Sequence, residues 1–123
     1  RTGATAEARV AGEDGLQVLT ALASRPDATV NQLVNASRYL LDPPLVEQKD
    51  LAHSLAFARR AVEKNPESIF TQELLSLAAQ QSGDLATALQ AARKRLDLTP
   101  ASNGPAREVA LARIRELEAK QKR

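Results

Sequence analysis

Two prolines 34 residues apart, Pro66 and Pro100, bracket the stretch that most restricts how this chain can fold. Between them lie two runs with apolar residues at helical spacing, SIFTQELLSLAAQQ and LATALQAARKRLDL, joined by Ser82-Gly83-Asp84. Glycine can stop a helix in the left-handed region and aspartate is a strong N-cap, so the break reads as a tight helical hairpin. Each proline pushes its predecessor out of the helical region and ends the run before it. The three stops Pro26, Pro66 and Pro100 are spaced by 40 and 34 residues, so the first interval is one such period plus six residues, placed at 43–49. Units of this length hide their apolar faces only by stacking on their neighbours.

The rest of the chain follows the same punctuation. Residues 1–12 are small and polar without a period and are expected to be a loosely ordered arm, followed by one helical domain over 13–123. Leu16, Leu19, Leu22 and Ala23 predict a first helix of about 15–24, ended by Pro26. Asp27 or Thr29 caps the next helix, which carries Val30, Leu33, Val34, Leu40 and Leu41 on one face and stops at Asp42-Pro43-Pro44. Leu45 and Val46 are expected to fold back onto the domain. Asp50 caps a helix with Leu51, Leu55, Ala58 and Val62 in register, closed by Asn65-Pro66. In the hairpin, Phe70, Leu74, Leu77 and Ala78 mark one helix and Leu85, Ala88, Leu89, Ala92 and Leu96 the other. A last helix over 105–121 has Pro105 at its first position and one apolar stripe of Leu111, Ile114 and Leu117. No alternating run of β-branched or aromatic residues marks a strand, so the expected fold class is all-α.

Composition narrows the chemistry. Of 123 residues only Phe57, Phe70 and Tyr39 are aromatic, so the core must be built from Leu, Val and Ala. There is no cysteine, which removes disulfides, thiolate metal sites and cysteine nucleophiles. His53 is the only histidine, so no multi-histidine metal site can be built, and it reads as a surface residue. No glycine-rich phosphate loop occurs. No catalytic, metal or cofactor residue is therefore expected. No apolar run is long enough to span a bilayer, and the expected chain is soluble, cytoplasmic in preference to periplasmic. The absence of methionine, including at position 1, points to a piece of a longer translated product. Arg93, Lys94, Arg95, Arg107, Arg113 and Arg115 crowd the C-terminal part and could form a basic patch for nucleic acid or an acidic peptide; without interleaved aromatics nucleic acid would be held only through phosphates, and a solvated helix is the simpler reading.

With these features in place, the chain resembles the tetratricopeptide repeat family. Leu75-Ser76, Gly83-Asp84, Ala88 and Pro100 match that pattern in one repeat, 67–100, and Ser54, Ala61 and Pro66 in another, 28–66. The loop from Asp42 to Asp50 is similar to the expanded turn of some bacterial members, so a bacterial source is expected. Gln72, Ala79 and Arg95 depart from the pattern, and Arg95, a long cation at a small-residue position, is read as blocking a further repeat and marking the end of the array. The resemblance implies a right-handed α-α superhelix of two repeats with an N-terminal helix and a C-terminal capping helix. It further implies a non-enzymatic protein-protein interaction module of a larger protein, binding a peptide or protein segment on a groove of first helices. The residues it places there are Phe70, Glu73, Leu77 and Gln80, with Gln32, Ala36 and Tyr39 from the first repeat; core packing is the competing reading of Phe70 and Tyr39. The alternative is a structural, spacer or dimerisation domain whose basic final helix pairs with a second copy of the chain or with a catalytic neighbour, and nucleic-acid binding ranks below both.

Overall fold

The computed structural model describes residues 20–41 and 51–122, and all regular secondary structure among them is α-helical. A helical end at 20–23 is followed by α1 (Val30–Leu41), α2 (Leu51–Lys64), α3 (Ile69–Gln81), α4 (Leu85–Leu98) and α5 (Gly104–Gln121). The arm 1–12, most of the expected first helix, and Leu45, Val46 and Asp50 lie outside the described residues.

Local chemistry sets the helix boundaries. Thr29, not Asp27, opens α1: the Gln32 N–H donates to Thr29 Oγ1 at 3.1 Å, and the Thr29 N–H donates to Gln32 Oε1 at 2.9 Å. This reciprocal capping box satisfies two backbone donors that the first turn leaves free. Ser68 caps α3 by accepting from the Thr71 N–H, and Asn103 caps α5 by accepting from the Ala106 N–H. Between α2 and α3, Thr71 Oγ1 donates to the Asn65 carbonyl at 2.7 Å and Gln72 Nε2 to the Pro66 carbonyl at 2.9 Å. Gln72 is thereby buried without an unmet polar atom. At the α3–α4 turn Gly83 adopts φ +84°, the Gly83 N–H donates to Gln80 and the Asp84 N–H to Ala79, so two orphan carbonyls of α3 are satisfied.

Consecutive helices pack on one another, and α1 also touches α3. Small residues allow the close approach. Ser37 Oγ donates to the Ser54 carbonyl at 2.8 Å and Ser54 Oγ donates back to the Ser37 carbonyl at 2.9 Å, which pins α1 to α2. In the next pair Ser76 Oγ donates to the Ala88 carbonyl at 2.9 Å, pinning α3 to α4 at the corresponding place. Ser54 and Ala88 are 34 residues apart, whereas Ser37 and Ser76 are 39 apart, so the contact recurs in the two hairpins with five more residues between its two sides in α1–α2.

The core runs along this stack in three joined clusters. Leu33, Ala36 and Leu40 of α1 meet Phe57 and Ala61 of α2 and Ala23 and Ala28 before them. Leu41 and Ala58 meet Leu74 and Ala78 of α3. Ala79, Ala88, Leu89 and Ala92 meet Ile114 and Leu117 of α5. Two of the seams sit one step from their expected positions. On α2 the buried line is Ser54, Phe57, Ala58 and Ala61, with Leu51, Leu55 and Val62 at its margins; on α5 Ala110 takes the place expected for Leu111. On α5, and at Ser54, Ala58 and Ala61 of α2, small residues take the crowded centre of the seam, while Phe57 fills the α1–α2 cluster with Leu33, Ala36 and Leu40.

Arg95 behaves differently from its reading as a block. Its side chain turns back along α4 toward α3, is only 16% exposed, and pairs with Glu73 at 3.9 Å, so α5 still packs on α4.

Candidate binding surface

Helical geometry places Phe70, Glu73, Leu77 and Gln80 within one stripe of α3, because each step of three or four residues returns close to the same face. To one side of this stripe Leu74 and Ala78 pack against α1 and α2; to the other Ser76 faces α4 and α5. The stripe itself is left uncovered. Phe70 is 78% exposed and Leu77 is 42% exposed, Glu73 is exposed and ion-paired to Arg95, and Gln80 is half-buried.

The first-repeat residues are placed less uniformly. Ala36 is fully buried against α2 and offers no surface. Gln32 commits its carbonyl oxygen to capping α1. Tyr39 is 42% exposed, but it stands two residues beyond Ser37, as the buried Ala78 stands two beyond Ser76, so it does not share the direction of Phe70 and Leu77. The residues of α1 that correspond to Phe70, Glu73 and Leu77 are Asn31, Val34 and Arg38. Val34 packs against the cluster of Leu41, Ala58, Leu74 and Ala78, and α1 touches α3.

On α5, Arg113 was expected only as part of a basic patch, and Val109 was not among the expected binding residues. The Arg113 guanidinium donates to Ser76 Oγ at 3.3 Å, which identifies the side of α5 that faces α3. Val109, one turn earlier on the same side, is 57% exposed. Three large exposed apolar side chains, Phe70, Leu77 and Val109, thus belong to α3 and to α5, two helices linked across α4 by the Arg113 side chain. In the sequence Val109 stands in a mostly charged helix and looks like an isolated apolar residue; only the Arg113–Ser76 contact reveals which side it occupies.

The basic residues do not form one free patch. Arg93 pairs with Glu118 at 3.7 Å, Lys94 with Glu67 at 3.6 Å and Arg95 with Glu73. Arg107 donates to the Thr99 carbonyl at 3.1 Å, and Arg60 holds the carbonyls of Ala23 and Arg25. Asp84 accepts from the hydroxyl and the N–H of Thr87, which, helped by the Arg59 guanidinium, hold its carboxyl below the ordinary value of 3.8. His53 is exposed, with its ring tilted against the buried Phe57. Among the described residues no cluster of metal-ligating side chains occurs, and no helix is long and apolar enough to cross a membrane.

Fold and surface together define an all-α protein of stacked helices with an uncovered apolar stripe. The chain matches no protein-family model, no curated protein and no solved structure.

Proposed function

We propose that this chain is a non-enzymatic protein-binding module, built as tetratricopeptide-like hairpins in a right-handed superhelix, that holds a segment of another protein across α1, α3 and α5. The observation that carries the reading is the exposure of Phe70 and Leu77 on one stripe of α3, with Val109 exposed on α5. Exposed aromatic and aliphatic side chains grouped on one surface are the usual anchors of a docking site. The repeat reading is supported by the recurrence of a small-residue pair, Ser37 with Ser54 and Ser76 with Ala88, at the centre of each hairpin. Against nucleic acid as the ligand stands the pairing of Arg93, Lys94 and Arg95 with carboxylates of the same chain.

Exposed Phe70 and Leu77 can be removed at little cost to the fold, since surface substitutions usually change stability by less than about 0.5 kcal/mol. The test is affinity capture with the chain and with a Phe70→Ala, Leu77→Ala variant of equal helicity. Partner recovery should fall sharply in the variant; equal recovery sinks the assignment of this surface. Light scattering on the same samples addresses the dimer reading, and a monomer is expected.

A further inference from the structure

The chain has four asparagines, Asn31, Asn35, Asn65 and Asn103, and their surroundings differ sharply. The side-chain amide of an asparagine can be attacked by the backbone nitrogen of the next residue, closing a succinimide ring. Attack needs an N–H that no other group holds, a following residue without bulk, and a backbone that can turn. Asn65 precedes Pro66, whose nitrogen has no hydrogen to give up. Asn31 and Asn35 lie inside α1, where the Gln32 N–H is taken by Thr29 Oγ1 and Ala36 is buried. At Asn103 all three conditions are open. It and Gly104 are exposed, and a Cβ added at Gly104 meets nothing within 4 Å. Gly104 begins α5, so its N–H belongs to the first turn and lacks an intrahelical acceptor; among the described residues no other group accepts it. The turn is held by Asn103 itself, which accepts from the Ala106 N–H on Oδ1 at 3.2 Å and from the Arg107 N–H on its carbonyl at 3.0 Å.

We propose that Asn103-Gly104 is a self-modification site, at which the Gly104 nitrogen attacks Asn103 Cγ and the asparagine becomes aspartate or isoaspartate. The Gly104 N–H loses its proton to hydroxide as the N–Cγ bond forms; the Cγ–Nδ2 bond then breaks and ammonia leaves. Water opens the succinimide at either of its carbonyls, giving the two products. In the capped helix Asn103 has ψ 74°, which turns the Gly104 nitrogen to the side of Cα away from Cβ, so the reaction runs only while the first turn of α5 is open. Helix ends open at little cost, and a glycine at the first position makes this end easier to open. The products act on α5 in opposite ways. Aspartate keeps an oxygen for the Ala106 N–H and places a negative charge at the helix N-terminus, where it is favoured. Isoaspartate routes the main chain through Cβ, lengthens it by one methylene and displaces the carbonyl that the Arg107 N–H uses. That product loosens the start of the helix that carries Val109 and Arg113.

The test is incubation of the folded 123-residue chain in mildly alkaline buffer, followed by trypsin and mass spectrometry of the peptide Leu96–Arg107. This peptide should gain about 1 Da, the exchange of an amide NH2 for OH, and separate into two chromatographic forms. Asn31 and Asn35 should convert at least about tenfold more slowly, because α1 must first give up hydrogen bonds of its own. Gly104→Ala should slow conversion at Asn103 by a similar factor with α5 intact, since a methyl group crowds the attack and alanine holds the helix start more firmly. Asn103→Asp should show no mass gain in this peptide and keep the amide protection of Ala106 and Arg107. An aged fraction enriched in isoaspartate should lose that protection. If Leu96–Arg107 keeps its mass in the folded chain while the same chain in urea converts, the cap holds the site shut and the proposal falls. Equal conversion at Asn31 or Asn35, or an unchanged rate in Gly104→Ala, also overturns it.

Discussion

At the scale of single residues, what was legible in the sequence was what acts locally. Gly83 and Asp84 could be assigned as helix stop and cap because the hydrogen bonds that define those roles reach only a few residues. The role of Ser37 could not, because it depends on Ser54 across a connection whose length no local rule fixes. Without that pairing the offset between α1 and α3 is open, and it is the offset of Ser37 from Ser76 that aligns Asn31, Val34 and Arg38, and not Gln32, Ala36 and Tyr39, with Phe70, Glu73 and Leu77. Glycine offers a clean test of the local reading. An added Cβ meets nothing within 4 Å at either Gly83 or Gly104, yet only Gly83 has positive φ. Any cost of Gly83→Ala is therefore backbone strain, about 1–2 kcal/mol. Gly104→Ala in the first turn of α5 should be neutral or stabilise by up to about 1 kcal/mol, because alanine narrows the unfolded ensemble. Urea midpoints of the two variants should move in opposite directions or differ widely; equal shifts would contradict the assignment of Gly83 as a left-handed stop.

At the scale of elements, each helix is set by its ends and by which residues take the crowded centre of its seam. The ends were readable, and the stripes were readable to within one position. On α5 Ala110 took the centre from Leu111, and on α2 Ser54 and Phe57 took it from Leu51, Leu55 and Val62, a choice made by the neighbouring helix and absent from the helix's own periodicity. The start of α4 shows how an end responds to pH. Thr87 holds the Asp84 carboxyl below its ordinary 3.8, so the folded chain keeps the charged form to lower pH than the unfolded chain does. The resulting stability is present above that value and is lost as the pH falls through the folded value. Asp84→Asn keeps an oxygen for the Thr87 N–H but cannot titrate. Thermal midpoints followed from about pH 5 down to about pH 3 should therefore fall less in the variant than in the parent. Parallel curves would remove Asp84 from the acid response.

At the scale of the whole molecule, the described chain is a line of contacts. Each hairpin joins the next through Leu41, Ala58, Leu74 and Ala78 or through Ala79, Leu89, Ala92, Ile114 and Leu117, and no cluster spans α1 and α5. In such a stack, stability is close to a sum of units and their nearest-neighbour interfaces, so a local loss spreads only as far as the adjoining unit. Ile114→Val removes one buried methyl group from the α4–α5 seam, at a cost of about 0.5–1.5 kcal/mol, mild enough to leave the fold intact. Amide hydrogen exchange should then accelerate in α5 and in the α4 turns around Leu89 and Ala92, with α1 and the start of α2 nearly unchanged. The same-sized change at the other seam, where Leu74 and Ala78 meet α1 and α2, should shift the affected region toward the N-terminal hairpin. If Ile114→Val instead raised exchange equally in every helix, the molecule would open as one cooperative body. The uncovered stripe of α3 would then be held by the entire stack and not by its two neighbours. The contrast bears on binding as well, because a segment laid across α3 and α5 would tighten this seam and protect α4 and α5 ahead of α1.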